Sequence, residues 1–448
     1  MNTRPSMAAS AIPAAHAPAA AASRDRLGEF AFVAFLLLVF VGLKPFAVRD
    51  PVKLALGESG FTGAGDTWRQ ITYLAAFALL MFAAWRARGS RMLEAVPAPL
   101  ACLLAWCVLS AFWSDTPDVT LRRAGLEGVI VLSALLGVET LGSERSLALW
   151  KYVLAGVLIV NWLSIPLVHQ AVHLPGEGDA QLIGNWRGLY FHKNIAGSVS
   201  AITATVFFFE ALKSRRATHW LLCLAAVGFT VMTNSKSSIG LLPFGLAAGL
   251  IYGAVRRNRL DRLIATAALG VFLVVAGAGV MADYHDISRF LTDPGELTGR
   301  VAIWQGELAF IGDHPLLGAG FGSFANAGAL SPLHNYVLDS WVRGEAHGHN
   351  AYLQLLVTIG GIGFVLALVM APLRRFLGTT ALRDPLMPML FAVFVFMLLH
   401  NFVESDFLES DGPAWIAFVL MLALLRRCTQ RAPRADAEPA RSLAWRLA

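Results

Sequence analysis

Long runs of apolar residues, separated by short polar segments, recur along most of the chain. Each run approaches the roughly 17–25 residues that an α-helix needs to cross a bilayer. Backbone polar groups inside lipid must be satisfied by the protein itself, so the pattern predicts an all-α, polytopic membrane protein. About twelve transmembrane helices are predicted, at residues 28–47, 70–86, 96–114, 124–140, 150–172, 193–212, 218–234, 237–255, 262–282, 351–371, 386–401 and 413–426.

Two long polar segments lie on the same side of this predicted bundle, at residues 173–192 and 283–350. The second contains Arg300–Ile311, in which apolar residues recur at helical spacing, followed by a glycine-rich turn, Gly312–Gly322. The sequence therefore predicts a large outer loop with short helices of its own. Loops of this length that carry secondary structure usually carry function.

The two ends of the chain lack the apolar pattern. Residues 1–27 are rich in Ala and residues 427–448 in Arg, Ala and Pro, which is typical of disordered tails. We therefore expect one membrane domain, residues 28–426, between two disordered cytoplasmic tails.

The composition agrees with a membrane protein. Of the 448 residues, 56% are hydrophobic and 15% charged, against roughly a quarter charged in soluble domains. The mean hydropathy is +0.59. Lys and Arg concentrate in the segments that lie inside if the N-terminus is cytoplasmic, as the positive-inside rule expects. Both termini are then cytoplasmic, and the net charge of +6 reflects topology rather than a nucleic-acid-binding surface.

The polar stretch Glu345-Ala-His-Gly-His-Asn350 comes directly before an apolar run. Polar groups at a membrane boundary are costly unless they are solvated or used. Asn350 stands where an N-cap is expected, so the helix would present its free N–H groups and positive dipole end beside His347 and His349. The arrangement predicts an anionic ligand next to a proton acceptor. A structural loop histidine is the alternative, while a metal site is disfavoured because His-x-His lacks a carboxylate or cysteine at matching spacing.

Cationic and amide side chains stand at two other helix starts on the outer side. Arg187, Lys193 and Asn194 lead into an apolar run, and Arg300 begins the amphipathic helix of the long loop. Cations outside run against the positive-inside bias, and guanidinium groups suit bidentate binding of oxyanions. Anion binding and simple anchoring at the membrane surface both remain open.

Three further residues are candidates for supporting roles. Arg343 and Glu345 could form an ion pair beside the histidines. Glu404 belongs to an acidic cluster in the last outer loop and is the member nearest a helix end, where it could orient a basic partner.

Three sequence blocks, in this order and on the outer side, resemble the O-antigen ligase/polymerase superfamily of bacterial membrane glycosyltransferases. The blocks are Arg187-Gly-Leu-Tyr-Phe-His-Lys-Asn-Ile-Ala-Gly197, then Gly299–Trp304 continuing to His314–Phe324, then His347-Gly-His-Asn350. The spacing from His349-Asn350 to Gly360 and Gly363 also fits the ligase-type pattern. The resemblance covers residues 187–411.

The resemblance implies a multi-spanning transferase of the bacterial inner membrane whose active site opens to the periplasm. It implies an undecaprenyl-diphosphate-linked oligosaccharide as donor, with no cofactor and no required metal. The family's essential histidine maps onto His349, and its diphosphate-binding arginines map onto Arg187 and Arg300. The residues themselves, apart from the resemblance, make Lys193 a further candidate for contact with the donor diphosphate. His349 would deprotonate an acceptor hydroxyl, which attacks the anomeric carbon with inversion. The supporting residues would be His347, Asn350, Asn194, Arg343, Glu345 and Glu404.

The acceptor decides the biological role. A polymerase adds the glycan to another lipid-linked repeat unit, and a ligase adds it to lipid A-core. The phrases Arg187–Asn194 and Asn401–Ser405 look closer to the exopolysaccharide-polymerase branch, whereas the His-Asn spacing suits a ligase equally well. A flippase or a chain-length regulator is the kind of protein partner that the polymerase role implies.

Two other classes remain as alternatives. A transporter or flippase of lipid-linked sugars would place ionisable residues near the bilayer midplane and would contain paired broken helices. A non-catalytic assembly scaffold would need none of the candidate chemistry. Because the polar residues gather in the outer loops, the sequence favours an enzyme.

Overall fold

In the computed structural model, the regular secondary structure of the described residues is helical and includes no strand, apart from an isolated bridge between Val172 and Trp186. The described residues are 25–48, 66–177, 180–255, 260, 300–325, 327, 330–337, 342, 348–370, 372–377 and 384–430. The α-helices are α1 Arg26–Phe40, α2 Thr67–Arg88, α3 Ala98–Leu109, α4 Pro117–Leu167, α5 Lys193–Ser214, α6 Ala217–Met232, α7 Lys236–Val255, α8 Arg300–Asp313, α9 Ala351–Met370, α10 Leu373–Leu377, α11 Met387–His400 and α12 Pro413–Gln430.

Five helical segments in the described residues are long and apolar enough to cross a membrane, by length and composition. They are Thr67–Ala95, Pro117–Leu167, Lys193–Ser214, Lys236–Val255 and Ala351–Met370, and shorter apolar helices occur at Ala98–Phe112, Ala217–Met232 and Met387–His400. The prediction of an all-α membrane protein is therefore confirmed. The count of about twelve spans is not confirmed, and the predicted span 262–282 lies outside the described residues.

The predicted tails fall largely outside the described residues. At the N-terminal side, α1 begins at Arg26, two residues before the predicted span 28–47. Asp25 is its N-cap, with a side-chain oxygen that accepts a hydrogen bond from the Gly28 N–H at 3.2 Å. A capping aspartate satisfies one of the free amide groups at a helix start. At the C-terminal side, α12 continues to Gln430.

Helix α4 has 51 residues and breaks at Gly142, whose backbone angles are φ 76° and ψ 167°. A straight helix of that length would measure about 75 Å, well over twice the apolar thickness of a bilayer. The break divides it into two segments that correspond to the predicted spans 124–140 and 150–172. Glycine is required here because the positive φ is costly for residues with a Cβ.

The helices pack closely where small residues face a neighbour. Helices α7 and α11 meet at Gly245 and Gly249, where an added Cβ would lie 2.9 Å from the Phe396 Cβ and 2.5 Å from the Pro388 carbonyl oxygen. Small residues at such positions let helix backbones approach, which is the main source of helix association in membranes. This contact holds α7 and α11 side by side from their middles to the Val255 end of α7 and the Met387 end of α11.

The outer loop has a small apolar core of its own. Residues Ile303 and Phe310 of α8 pack with Phe324 and with Val357 of α9. The predicted helix at Arg300–Ile311 is thus present as α8, and it lies against the N-terminal part of α9.

Helix α9 also breaks, at Gly360 (φ 66°, ψ −176°). The freed carbonyl groups are used by other parts of the chain. The Val357 and Thr358 carbonyls accept hydrogen bonds from the Ala319 and Gly320 N–H groups at 2.8 and 2.9 Å. In lipid, a broken helix is tolerated only when its backbone groups find such partners.

The same break receives two more contacts. The Trp106 indole N–H of α3 donates to the Ile359 carbonyl at 3.0 Å, and the Gly361 N–H donates to the Pro315 carbonyl at 2.8 Å. A Cβ on Gly360 would overlap the Leu316 carbonyl group. Hydrogen bonds therefore hold the glycine-rich turn against the break in α9, and they fix the position of the segment that follows α8.

Candidate active site

One buried carboxylate joins the first turns of three helices to the predicted base. Oε1 of Glu404 accepts hydrogen bonds from the Asn194 side chain of α5 (2.8 Å), the Ser237 hydroxyl of α7 (3.3 Å) and the Arg300 guanidinium of α8 (3.1 Å). Its Oε2 lies 3.4 Å from Nδ1 of His349, two residues before α9. Four helix N-termini, each the positive end of a helix dipole, therefore converge on this carboxylate.

Glu404 is held there by the turn that follows α11. Its N–H donates to the His400 carbonyl at 2.9 Å. The Ala351 N–H, the first of α9, donates to the carbonyls of Asn401 and Glu404 at 2.9 and 3.0 Å. The last outer loop and the start of α9 are thus built as one unit.

The surroundings of Glu404 keep it ionised. Burial would raise the pKa of the Glu404 carboxyl, but the hydrogen bond from His349 and the positive charge of Arg300 hold that pKa well below its usual range. An ionised carboxylate only accepts hydrogen bonds, so Nδ1 of His349 carries the proton in this pair. Nε2 of His349 is then free to accept a proton from a substrate.

The backbone around His349 is constrained by two elements. His349 has a positive φ of 52°, which is uncommon for a residue with a side chain. The carbonyl of the preceding Gly348 accepts a hydrogen bond from the Trp304 indole of α8 at 2.7 Å, and its N–H donates to Gln354 at 3.4 Å. Such strained positions persist where the surrounding structure over-determines them, often at functional sites.

Asn350 caps α9, as predicted. Its side-chain oxygen accepts from the N–H groups of Tyr352 (3.0 Å) and Leu353 (3.2 Å). The expectation that this helix presents free N–H groups is wrong, because the amide of Ala351 is also used, by the turn after α11. The N-terminus of α9 therefore favours an anion through the helix dipole and not through hydrogen bonds from free backbone amides.

Cationic side chains surround this carboxylate–histidine pair. NH1 of Arg300 donates to the Val403 carbonyl, and its side chain is 18% exposed. Lys193 begins α5 and its ammonium group donates to the Asn234 carbonyl at 3.2 Å. Lys236 begins α7, is exposed, and lies next to Ser237 in the chain. The region can therefore receive an anion.

Arg187 does not contact this cluster. Its side chain is fully buried, and its NH1 and NH2 donate to the two oxygens of Glu177 at 2.8 and 2.9 Å. Its predicted binding of the donor stays a prediction. Three other candidates, Arg343, Glu345 and His347, lie outside the described residues.

Glu307 was not found by sequence reasoning. It is 1% exposed, and no hydrogen-bond partner is recorded for its Oε2 among the contacts of the described chain. A Cβ on Gly348 would overlap its carboxyl group. Burial raises the pKa of Glu307 to about 8, so the acid is largely neutral near pH 7. The signal was its spacing, since Glu307 lies seven residues after Arg300 and so shares a face of α8 with it.

A second buried polar group lies behind Glu404. The His400 ring contacts Asp406 through Nδ1 at 2.7 Å and the Ser238 hydroxyl through Nε2 at 3.2 Å. Ser238 belongs to α7 and His400 to α11, so the group joins the two helices that supply Ser237 and the Glu404 turn. Satisfied networks of this kind rigidify a site.

Together these features define a class: an all-α membrane protein with a histidine–carboxylate pair at converging helix ends. Residues 221–368 match the family model described as O-antigen ligase. The match confirms, over these residues, the resemblance to the O-antigen ligase/polymerase superfamily inferred from the sequence blocks. It includes α8, His349 and the broken helix α9, while Arg187 and Glu404 lie beyond its limits. A search of curated proteins found no match.

Proposed function

We propose that the protein is a membrane glycosyltransferase that moves an undecaprenyl-diphosphate-linked glycan to an acceptor hydroxyl on the periplasmic face of the inner membrane. The observation that carries the proposal is the pairing of His349 with the ionised Glu404 among four helix N-termini and several cations. The family match supports a membrane function of the ligase or polymerase type.

In the proposed reaction, Nε2 of His349 takes the proton of the acceptor hydroxyl. The acceptor oxygen forms a bond to the anomeric carbon of the donor from the side opposite the diphosphate, and the bond from that carbon to the diphosphate oxygen breaks. The diphosphate leaves with the electron pair, and the configuration inverts. Glu404 stabilises the imidazolium that His349 becomes, as an orienting carboxylate does for other histidine bases.

The negative charge that develops on the leaving diphosphate would be balanced by Arg300 and Lys193. Arg300 uses NH1 for the Val403 carbonyl and NH2 for Glu404, which occupies two of its five N–H donors. Fixed cations and helix dipoles that face a developing charge stabilise a transition state strongly in a site that excludes water. No metal ion is required in this scheme.

We propose a polymerase role, with a second lipid-linked repeat unit as acceptor. The ligase role is the second candidate, favoured by the description of the matching family. A transporter of lipid-linked sugars would use neither the base nor the cations in this way.

Reconstitution tests the proposal. The purified protein in liposomes should convert a defined lipid-linked repeat unit into longer lipid-linked glycans and release undecaprenyl diphosphate. Addition of lipid A-core distinguishes the two roles, since a ligase would instead attach the glycan to that acceptor. Absence of transfer to both acceptors, with intact donor recovered, would overturn the proposed function.

A further inference from the structure

Arg187 lies in an enclosed ion pair. Nε donates to the Gln170 carbonyl at 2.7 Å, NH1 and NH2 donate to the two oxygens of Glu177, and NH1 also lies 3.3 Å from the Phe191 carbonyl. The relative exposure of the two side chains is 0% for Arg187 and 7% for Glu177. The guanidinium fork is therefore committed to a carboxylate of the protein itself.

Glu177 is saturated by donors. Besides Arg187, it accepts from Nδ1 of His173 at 2.9 Å and from the Leu174 N–H at 3.1 Å. Burial would raise the pKa of Glu177, but the hydrogen bonds from His173 and Leu174 and the charge of Arg187 hold it below its usual range. Withdrawal of Arg187 to bind a ligand would leave a buried carboxylate without its counter-charge, which is strongly unfavourable.

His173 links this pair to the first turn of α5. Its Nδ1–H donates to Glu177, so Nε2 is free to accept the Lys193 N–H at 3.2 Å. The neighbouring His192 is the N-cap of α5 and accepts from the Asn194 N–H at 3.2 Å. Asn194 in turn donates to Glu404. A continuous set of contacts therefore runs from Arg187 to the carboxylate that orients His349.

We propose that Arg187, Glu177 and His173 are positioning residues: they hold the first turn of α5 so that Lys193 and Asn194 face the site, and Arg187 does not contact the donor diphosphate. The inference rests on the proposed function where it is tested by rates of glycan transfer. The test by chemical modification of arginine depends only on the ion pair between Arg187 and Glu177.

A double-mutant cycle on glycan transfer tests the inference. Glu177→Gln and Arg187→Lys should each lower the rate on the order of tenfold, because each breaks the bidentate pair. If Arg187 acts through Glu177, then Arg187→Lys should lower the transfer rate of the Glu177→Gln variant by less than about twofold. If Arg187→Lys lowers the transfer rate by the same factor in the wild-type protein and in the Glu177→Gln variant, and raises the KM for the donor, then Arg187 binds the donor directly and the inference is overturned.

A pH profile separates positioning from a general loss of folded protein. Loss of the Asn194 contact removes one hydrogen bond from the Glu404 carboxylate, which leaves more of its negative charge facing His349 and favours the protonated histidine. Glu177→Gln should therefore move the acid-side inflection of the kcat/KM profile to higher pH, and Asn194→Ala should do the same. A lower rate with an unmoved profile would contradict the inference.

Chemical modification of arginine decides the question without activity. In the wild-type protein, a dicarbonyl reagent should leave Arg187 unmodified whether or not lipid-linked donor is present, and Glu177→Gln should make it reactive. Rapid modification of wild-type Arg187, or its protection by donor, would overturn the inference. If the wild-type protein transfers no glycan, the proposed function fails. The reactivity of Arg187 toward the reagent would still show whether Arg187 is held by Glu177.

Arg145 and Glu29 provide the matched control. They form another bidentate pair, with distances of 2.6 and 2.8 Å, at the predicted cytoplasmic side, and Arg145 is 38% exposed. Arg145→Lys and Glu29→Gln should leave the transfer rate unchanged. Arg145 should react with the reagent in the wild-type protein, which shows that the reagent is active.

Discussion

At the scale of single residues, the account depends on the state of Glu404. The carboxylate accepts hydrogen bonds from four directions, and only one of its neighbours, His349, is suited to take up a proton near neutral pH. The same carboxylate fixes which nitrogen of His349 carries hydrogen. The chemistry of the site is thereby set by a pair and not by the histidine alone.

Glu404→Gln should lower the rate of glycan transfer by about 10²-fold or more, because an amide keeps the shape but cannot stabilise the imidazolium by charge. Initial rates in liposomes with lipid-linked donor measure the effect. The matched control is Glu409→Gln, an exposed carboxyl of the same loop, which should behave like the wild-type protein. Equal activity of the Glu404 and Glu409 variants would refute the role of Glu404.

Glu307→Gln should alter the pH dependence of stability. The ordinary pKa of a glutamate is 4.5 and that of the folded-state Glu307 is about 8, so the folded protein binds the proton more tightly than the unfolded chain. The contribution of Glu307 to stability is therefore full below about pH 4.5 and is lost as the pH rises toward about 8. Each unit of pKa difference corresponds to about 1.4 kcal/mol.

Thermal unfolding in detergent measures this effect. Relative to wild type, the Glu307→Gln variant should gain stability between about pH 5 and about pH 8, because it lacks the ionisable group. A constant difference between the two proteins across that range would show that Glu307 does not ionise on unfolding.

The sequence predicted several residues that the structure brings together. His349, Asn194, Arg300 and Glu404 are polar side chains at helix starts or ends, and such positions stand out in an apolar chain. Glu177 was missed because a carboxyl in a polar loop is normally expected to be solvated. Its contact with Arg187 becomes apparent only in the folded loop.

At the scale of elements, the broken helix α9 carries the site. Its outer half begins at the Asn350 cap, and its break at Gly360 receives the turn that follows α8. Apolar runs predicted the helices because their length is a local property. The break was not predicted, since the partners of its carbonyl groups, Ala319, Gly320 and Trp106, are distant from it in the chain.

Broken helices are also a feature of transporters, which was one of the alternatives. In transporters the unwound backbone coordinates the cargo. Here the carbonyls of Val357, Thr358 and Ile359 are occupied by backbone and indole donors of the same chain. The break therefore serves to fix the outer loop, which agrees with the enzyme proposal.

Gly360→Ala should destabilise the protein by about 1–3 kcal/mol or more, because the residue has a positive φ and its Cβ would overlap the Leu316 carbonyl. The rate of thermal inactivation in detergent measures the change. Gly125→Ala is the control, since an added Cβ there meets no atom within 4 Å. Tolerance of Gly360→Ala equal to that of the control would contradict the described backbone.

At the scale of the whole molecule, the apolar bundle carries the site on what the positive-inside rule predicts to be the outer face. In the proposed reaction, the charge of the leaving diphosphate would be balanced by Arg300 and Lys193, which begin two different helices. Among the described residues, no group of three or more His, Cys, Asp or Glu could hold a metal ion. Independence from metal ions remains a prediction.

Glycan transfer should persist in the presence of a strong chelator, because fixed cations of the protein take the place that a divalent ion has in many diphosphate-dependent transferases. The rate of donor consumption, measured before and after dialysis against chelator, checks this. Complete loss of activity that returns on addition of a divalent metal would contradict it.

The central claim is that His349 is the base of a glycosyl transfer, and His349→Ala in liposomes with purified lipid-linked repeat unit tests it most directly. The control is His169→Ala, an exposed histidine two residues after the end of α4. The account predicts that the His349 variant inserts and binds donor normally yet forms no longer glycan, whereas the His169 variant matches the wild type. Wild-type rates of glycan formation by the His349 variant would contradict the account.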